Sequence, residues 1–425
     1  ALFVRVCPCL SSVSFLLEGI KLILPPKYSA MTSLDSHNFN GKRALIRVDF
    51  NVPLNDKQEV TDNTRMVAAL PTIKHVLSNG GSVVLMSHLG RPKNGPEPKF
   101  SLKNLITPLS ALIGQSVSFV NDCIGNQAEK ASGELRAGEV LLLENLRFYK
   151  EETQGDNGFA EKLSKHGDIY INDAFGTAHR AHASTAIIAQ YFNEKCFGRL
   201  LSAEVENAQR VLDSSEAPFT AIIGGAKVSG KIEVITNLLD KIDHLIIGGG
   251  MAYTFIKAQG GSIGNSLVEE DYLETALEIL RTAKAKNVSI HLPEDSVIAD
   301  SFSNDAGTKI VDSGSIESGW MGLDVGEKAL AEYAAVLEKS KTILWNGPVG
   351  VFEFSNFANG TRSLGNSIAL ATKNGAFSLV GGGDSVAAAK KFGIADNISY
   401  ISTGGGALLE FLEGKTLPGV AAIQG

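Results

Sequence analysis

Cationic and imidazole side chains recur in the first half of the sequence, each time just after a short apolar run. The runs end in Arg47-Val48-Asp49-Phe50-Asn51, in Ser87-His88-Leu89-Gly90-Arg91-Pro92, in Glu144-Asn145-Leu146-Arg147, and in a longer stretch from Asn172 and Asp173 to His179, Arg180 and His182. A guanidinium offers a planar fork of donors that matches carboxylate or phosphate oxygens two at a time. Several arginines at one crevice therefore imply a small ligand with more than one negative charge. Arg65, at the expected start of a helix after Asp62 and Asn63, can point into the same crevice, where helix-terminal amides also favour anions. Taken singly, each arginine reads as a solvated surface charge or a salt bridge, and each histidine as structural. Their recurrence together is the signal. Zinc is not expected, because the histidines lack cysteine or carboxylate partners at ligand spacing. Arg47 and Asp173 are expected to form a structural ion pair with each other.

The runs of the second half end in glycine instead: Gly224-Gly225-Ala226-Lys227, Gly248-Gly249-Gly250, Asn346-Gly347-Pro348-Val349-Gly350, Gly381-Gly382-Gly383-Asp384-Ser385 and Ser402-Thr403-Gly404-Gly405-Gly406. Glycine after a strand lets bare backbone amides approach an anion, and a helix starting there adds its positive end. Polyphosphate is the natural guest. Residues 225–231 read G-x-x-x-x-G-K, but Ile232 stands where a P-loop needs Ser or Thr for the metal. The dinucleotide pattern G-x-G-x-x-G fails too, at Tyr253, Val386 and Leu409. What survives is Lys227 and Lys231, four apart at a helix start and able to face the same phosphates. Asp384 suits a Mg2+ that bridges phosphates, and reads equally as a plain helix N-cap.

Short β-branched runs alternating with amphipathic segments must position these loops, a pattern that predicts βαβ units and parallel sheets. Runs fall at 44–48, 82–86, 117–120, 140–143 and 169–171, and again at 219–223, 244–247, 288–291, 342–345, 377–380 and 398–401. The fold expected is α/β: two doubly wound, Rossmann-like, three-layer domains joined by a hinge helix. Ser202 is the expected cap of that helix, whose Val205, Ala208, Val211 and Leu212 share one face. The domains expected are 31–201 for the anion, 202–217 as interdomain helix and linker, 218–410 for the nucleotide, and a tail at 411–425. A chain of 425 residues fits two cores. Its net charge of −7 argues against bulk nucleic-acid binding, so any phosphate site must be local. Of the four cysteines, Cys123 and Cys196 read as ordinary buried residues in a reducing compartment, while Cys7 and Cys9 fall in residues 1–30. That stretch reads as a leader outside the fold, too interrupted by charge to span a bilayer, with organellar targeting as the minority reading.

The chain resembles the phosphoglycerate kinase family from Met31 onward. The motifs that carry the likeness are RVDFNVPL (47–54), SHLGRP (87–92), LLLENLRF (141–148), NDAFGTAHRAHAS (172–184), GGAKVSGK (224–231), WMGLDVG (320–326), WNGPVGVFE (345–353) and GGGDSVAA (381–388), in family order. The resemblance implies a phosphoglycerate site at Asp49, Phe50, Asn51, Arg65, His88, Leu89, Gly90, Arg91, Arg147 and Arg180. It implies Mg-ATP or Mg-ADP on the second domain, with Lys227 and Lys231 at the phosphates and Gly322 and Leu323 near the adenine. Glu353 would lie near the ribose and Asp384 would hold the metal. Gly225, Gly249, Asn346, Gly382, Gly383 and Ser385 complete the nucleotide set, and Gly404, Gly405 and Gly406 would face the transferring group. The tail would fold back on the first domain. Gly230, Ser385 and Leu408 depart from residues common in the family without touching the chemistry. The implied enzyme is a cytoplasmic monomer without nucleic-acid or membrane partners, acting in glycolysis and gluconeogenesis. Two other readings stay open: an acyl-phosphate kinase with a different carboxylate substrate, and a two-domain solute receptor that closes on an anion.

Overall fold

The computed structural model describes residues 33–93 and 95–424. The expected leader at 1–30 lies outside them. Six strands form the first sheet: β1 (Arg43–Val48), β2 (Ser82–Met86), β3 (Val117–Phe119), β4 (Val140–Leu142), β5 (Ile169–Asp173) and β6 (Lys195–Phe197). Their order is β3-β4-β2-β1-β5-β6, with every pairing parallel. Helices cover a parallel sheet on both faces, which is why these strands read as unbroken apolar runs rather than as alternation. Ala44, Ile46, Val48, Val83, Leu85, Ile169 and Ile171 pack with Met66, Ala69, Ile73 and Val76 of the helix Thr64–Ser78 in one core.

The second half supplies β7 (Phe219–Ile223), β8 (His244–Ile247), β9 (Ser262–Ile263), β10 (Ser289–His291), β11 (Asp295–Ala299), β12 (Thr308–Asp312), β13 (Ser315–Ile316), β14 (Met321–Val325), β15 (Thr342–Asn346), β16 (Phe377–Val380) and β17 (Tyr400–Ile401). Six of these make a second parallel sheet ordered β10-β8-β7-β15-β16-β17. The two Rossmann-like sheets are those the sequence predicts, with β6 an added edge strand. Two additions are new: an antiparallel sheet β12-β11-β14 and the short pair β13-β9. In both large sheets the chain winds outward from a first strand, then returns to its other side. The reversals fall at β1/β5 and β7/β15, and such switch points open a crevice beyond the carboxyl ends of the strands. Asp49, Asn51 and Asn172 follow or end strands at the first, and Gly224, Gly225 and Gly347 follow strands at the second.

The helix Arg199–Asp213 leaves β6 and buries Leu201, Val205, Ala208 and Val211. Its cap is Gly198 rather than Ser202, which lies inside the first turn. The orphan amides of Leu200 and Leu201 donate to Asp173 Oδ1 at 2.9 and 3.1 Å instead. This also corrects the pairing of Arg47 with Asp173. Val48 stands opposite Asp173 and Arg47 opposite Asn172, so the two charged side chains leave the sheet on opposite faces. Arg47 is fully buried and donates to Ser184 Oγ at 2.9 Å and to the Val48 carbonyl. Near the C-terminus, the Gly419 amide donates to Ala178 O at 2.8 Å, and Asn172 Nδ2 donates to Gly419 O at 3.1 Å. Cys123 and Cys196 are buried free thiols, and burial raises the pKa of each.

Burial pushes the Asp173 carboxyl up to about 7 from its ordinary 3.8. The native state thus keeps a proton that the unfolded chain releases, so this group's contribution is full below about pH 4 and lost as pH rises to about 7. Asp173→Asn retains the acceptor for Leu200 and Leu201. Urea unfolding at pH 5 and pH 8 should show the variant losing less stability than the parent between those values; equal losses would contradict the assignment.

Candidate active site

Loops from both halves line one cavity of about 190 Å3. Asp49, Asn51, Arg65, His88, Arg91, Arg147, Gly176, Thr177, His179 and Arg180 come from the first half, and Gly404, Gly405 and Gly406 from the second. Arg65 Nη1 lies 2.9 Å from Asp49 Oδ2 and 3.2 Å from Asn51 O, which fixes its fork at the cavity wall. Arg147 Nη1 donates to Gly90 O at 2.8 Å, and the Gly90 amide donates to Asn51 Oδ1 at 2.8 Å, so these three loops hold one another in place.

Positive charge is crowded here. Burial first, then Arg47, Arg180 and Arg91, pull Arg147 down to about 10. Burial and the neighbouring arginines hold His88 well below 6.5 and bring His182 down to about 4; burial and Arg180 lower His179. Neutral imidazoles beside unshared guanidinium charge describe a site built for a polyanion that restores the balance. Phe50 and Leu89, expected at the ligand, are instead core side chains. Their amides are occupied by Ser87 Oγ at 2.8 Å and Asn145 Oδ1 at 3.3 Å, so they position the loops without reaching the cavity.

A second cavity, of about 410 Å3, is the glycine cradle: Gly224, Gly225, Lys227, Lys231, Asn346, Gly347, Gly382, Gly383, Asp384 and Ser385 line it, and Gly405 and Gly406 complete its wall. Gly405 and Gly406 therefore border both cavities. At Gly224 a Cβ would stand 2.1 Å from Pro348 O, so only glycine lets β7 and β15 loops approach this closely. Gly404 packs against the ring of Phe175 from the first half, where a Cβ would come within 2.2 Å. Lys231 caps the helix Ile232–Leu238 and donates to Asn346 Oδ1; burial lowers its pKa, opposed by Asp384 and Glu413. Lys227 is exposed at the cradle's rim.

The cradle runs into an apolar slot of about 720 Å3 lined by Gly249, Tyr253, Leu267, Phe302, Gly322, Leu323, Val349, Glu353 and Phe354. Leu267 and Phe302 are about 60% exposed on its rim, so they extend the slot's apolar surface to its mouth. Asp384 borders both slot and cradle. It is the second residue of the helix Gly383–Lys391, whose cap is Gly382, so the plain N-cap reading of Asp384 does not hold. An exposed carboxylate beside a phosphate cradle fits Mg2+, which takes one or two carboxylates and fills its octahedron with phosphate oxygens and water. Among the described residues no group of three or more His, Cys, Asp or Glu could hold a metal unaided.

Several lining residues had no clear signal in the sequence. Gly176 and Thr177 face the anion cavity from the loop after β5, beside His179, which the sequence had already grouped with the arginines. Phe302 belongs to the connection between β11 and β12, and Leu267 to the segment after β9, where periodicity predicts nothing.

Two Rossmann-like lobes with facing crevices, one cationic and one glycine-lined with an apolar extension, define a two-domain nucleotide-dependent phosphotransferase. The family model for phosphoglycerate kinase matches residues 34–415. The chain is 52% identical over 392 residues to a cytosolic phosphoglycerate kinase of Triticum aestivum, covering 92% of this chain and 98% of that protein. It is 50% identical over 407 residues to chloroplastic phosphoglycerate kinase 1 of Arabidopsis thaliana, covering 96% and 84%. Its fold matches the structure of phosphoglycerate kinase from Coxiella burnetii with a TM-score of 0.85 at 42% identity, over 93% of this chain and 99% of that one. The chain belongs to the phosphoglycerate kinase family, and it is a kinase whose acceptor is a carboxyl group.

Proposed function

We propose that the chain catalyses reversible, Mg2+-dependent phosphoryl transfer between ATP and 3-phosphoglycerate, giving 1,3-bisphosphoglycerate and ADP in glycolysis and gluconeogenesis. The observation that carries this reading is the shared wall: Gly405 and Gly406 border the arginine cavity on one side and the phosphate cradle on the other.

Residues 31–201 form the phosphoglycerate domain, 202–217 the connection, 218–410 the nucleotide domain and 411–425 a tail that returns to the first. In the first domain, Arg91, Arg147 and Arg180 neutralise the substrate's phosphate while Asp49 and Asn51 orient it. In the second, Gly322 and Leu323 bound the base slot, Glu353 meets the ribose, and Asn346, Gly382, Gly383 and Ser385 shape the phosphate cradle. The acceptor carboxylate is already ionised near neutral pH, so no general base is required and the work is positioning and charge neutralisation. Arg65 from one lobe and Lys231 from the other clamp the oxygens of the transferring group, and the amides of 404–406 face it. Mg2+, held through Asp384, would supply charge neutralisation between phosphate oxygens. Approach of the lobes about the helix Arg199–Asp213 brings donor and acceptor together and expels water. We place the enzyme in the cytoplasm, a reading supported by the likeness to the cytosolic protein of Triticum aestivum, and take it to act as a monomer.

The test is formation of 1,3-bisphosphoglycerate from ATP and 3-phosphoglycerate by the purified chain. Product should appear with Mg2+ and vanish on adding EDTA in excess, returning when Mg2+ is restored. Asp384→Asn should need a higher Mg2+ concentration for half-maximal rate. Turnover with another carboxylate but not with 3-phosphoglycerate would overturn the substrate assignment.

A further inference from the structure

Lys390 and Lys391 end the helix Gly383–Lys391, whose first turn carries Asp384 and Ser385 at the phosphate cradle. The two lysines do different things. Lys391 Nζ donates to Phe352 O at 2.7 Å, tying the helix to the loop that presents Glu353 to the base slot. Lys390 Nζ crosses to the other lobe, reaching Asp62 Oδ2 at 3.0 Å and Thr64 Oγ1 at 2.9 Å.

We infer that Lys390 is a positioning residue that couples the nucleotide lobe to the helix bearing Arg65. The proposal rests on the functional reading above. Asp62 uses its two oxygens for two purposes: Oδ1 accepts the Thr64 amide at 2.8 Å, organising the start of the helix Thr64–Ser78, and Oδ2 takes Lys390. Arg65 is the next residue after Thr64, and its guanidinium already leans on Asp49 and Asn51 O. One nine-residue helix thus has the phosphate cradle at its first turn and the start of the Arg65 helix at its last. A nucleotide that orders the first turn also sets where Lys390 stands. The Thr64 bonds and Lys390 hold the Asp62 carboxyl down at about 2, so the pair stays charged throughout the neutral range.

Both partners are nearly half exposed, 43% for Lys390 and 45% for Asp62, which makes the contact weak and salt-sensitive. Weak coupling suits a contact that must form and break in every turnover: a buried, strong pair would hold the lobes shut on product.

The experiment is a double-mutant cycle on the full chain with Lys390→Met and Asp62→Asn, the latter keeping the acceptor for Thr64. Each single variant should lose about two- to fivefold in kcat/KM at ~0.05 M ionic strength, the range of an exposed ion pair. The double variant should lose no more than the worse single, and the losses should shrink at ~1 M salt. Lys390→Arg should keep most of the rate, and Mg-ADP alone should bind Lys390→Met and Asp62→Asn no more than the same two- to fivefold more weakly. Additive losses, losses insensitive to salt, or singles equal to the parent at low salt would overturn the coupling. Wild-type turnover of 3-phosphoglycerate reports separately on the functional reading. If it is absent, the same cycle read on urea unfolding still decides whether the pair couples the lobes, with additivity there counting against it.

Discussion

Lys231→Ala will lower kcat by roughly 10² to 10⁴, the range for removing a donor that acts on transition-state charge. The reason lies in where the ammonium sits. It belongs to the residue just before a short helix at the phosphate cradle, is held by Asn346 Oδ1, and is partly withdrawn from water, so its charge is less screened than that of Lys227 on the rim. Burial lowers its pKa, which means the free protein tolerates the charge at some cost and a phosphate relieves it. The KM for ATP should change far less than kcat, because the backbone amides and the apolar slot still bind the ground state. A steady-state profile with kcat near that of the parent would remove Lys231 from the reacting group.

Arg65→Ala should cost a similar factor in kcat, from the opposite lobe. Arg65 is anchored through Nη1 alone, by Asp49 and the Asn51 carbonyl, which leaves the rest of the fork for an incoming oxygen. Truncation leaves the nearly buried Asp49 facing His88 at 3.8 Å without its main counter-charge, so some local loosening will accompany the loss. Arg65→Lys separates the two effects. It keeps the charge for Asp49 but cannot present two parallel donors, and should retain stability while losing most of the rate. Rate constants from single-turnover quench-flow, beside urea unfolding curves, decide this; a fully active Arg65→Lys would show that charge alone suffices.

How much of this was legible in the sequence follows from how each feature is encoded. The two parallel sheets were readable because strands buried on both faces spell themselves as continuous apolar runs: Leu45, Ile46 and Val48, or Ile222 and Ile223, admit few other placements. Some of the strands that escaped are short or solvent-facing, while the buried β11 and β14 carry Asp295, Ser296, Gly322 and Asp324 and so break the apolar run. β6 is three residues hemmed by Glu194 and Gly198, and β12 is largely exposed, so neither carries an apolar signature. The loops at strand ends were readable as chemistry, since clustered arginine and clustered glycine are costly without a ligand. Registers were not. Arg47 and Asp173 lie close along neighbouring strands, yet a one-residue offset sends them to opposite faces, and no property of either residue announces that offset. Motif positions likewise concealed that Phe50 and Leu89 point into the core while their neighbours line the cavity. The cross-lobe contacts were the least legible of all. Glu204 accepts the Thr403 amide at 2.6 Å and hydroxyl at 2.7 Å over a separation of 199 residues, and Lys390 meets Asp62 over 328. Such pairs depend on where two finished domains come to rest.

A crystal structure of the chain with 3-phosphoglycerate, Mg2+ and a non-hydrolysable ATP analogue tests the central claim most directly. The phosphoglycerate should lie against Arg65, Arg91, Arg147 and Arg180 in one lobe and the triphosphate against Lys227, Lys231 and the glycine loops of the other. The acceptor carboxylate and γ-phosphate should meet beside Gly404, Gly405 and Gly406. Both ligands seated in a single lobe, or the phosphoglycerate bound away from those arginines, would contradict it.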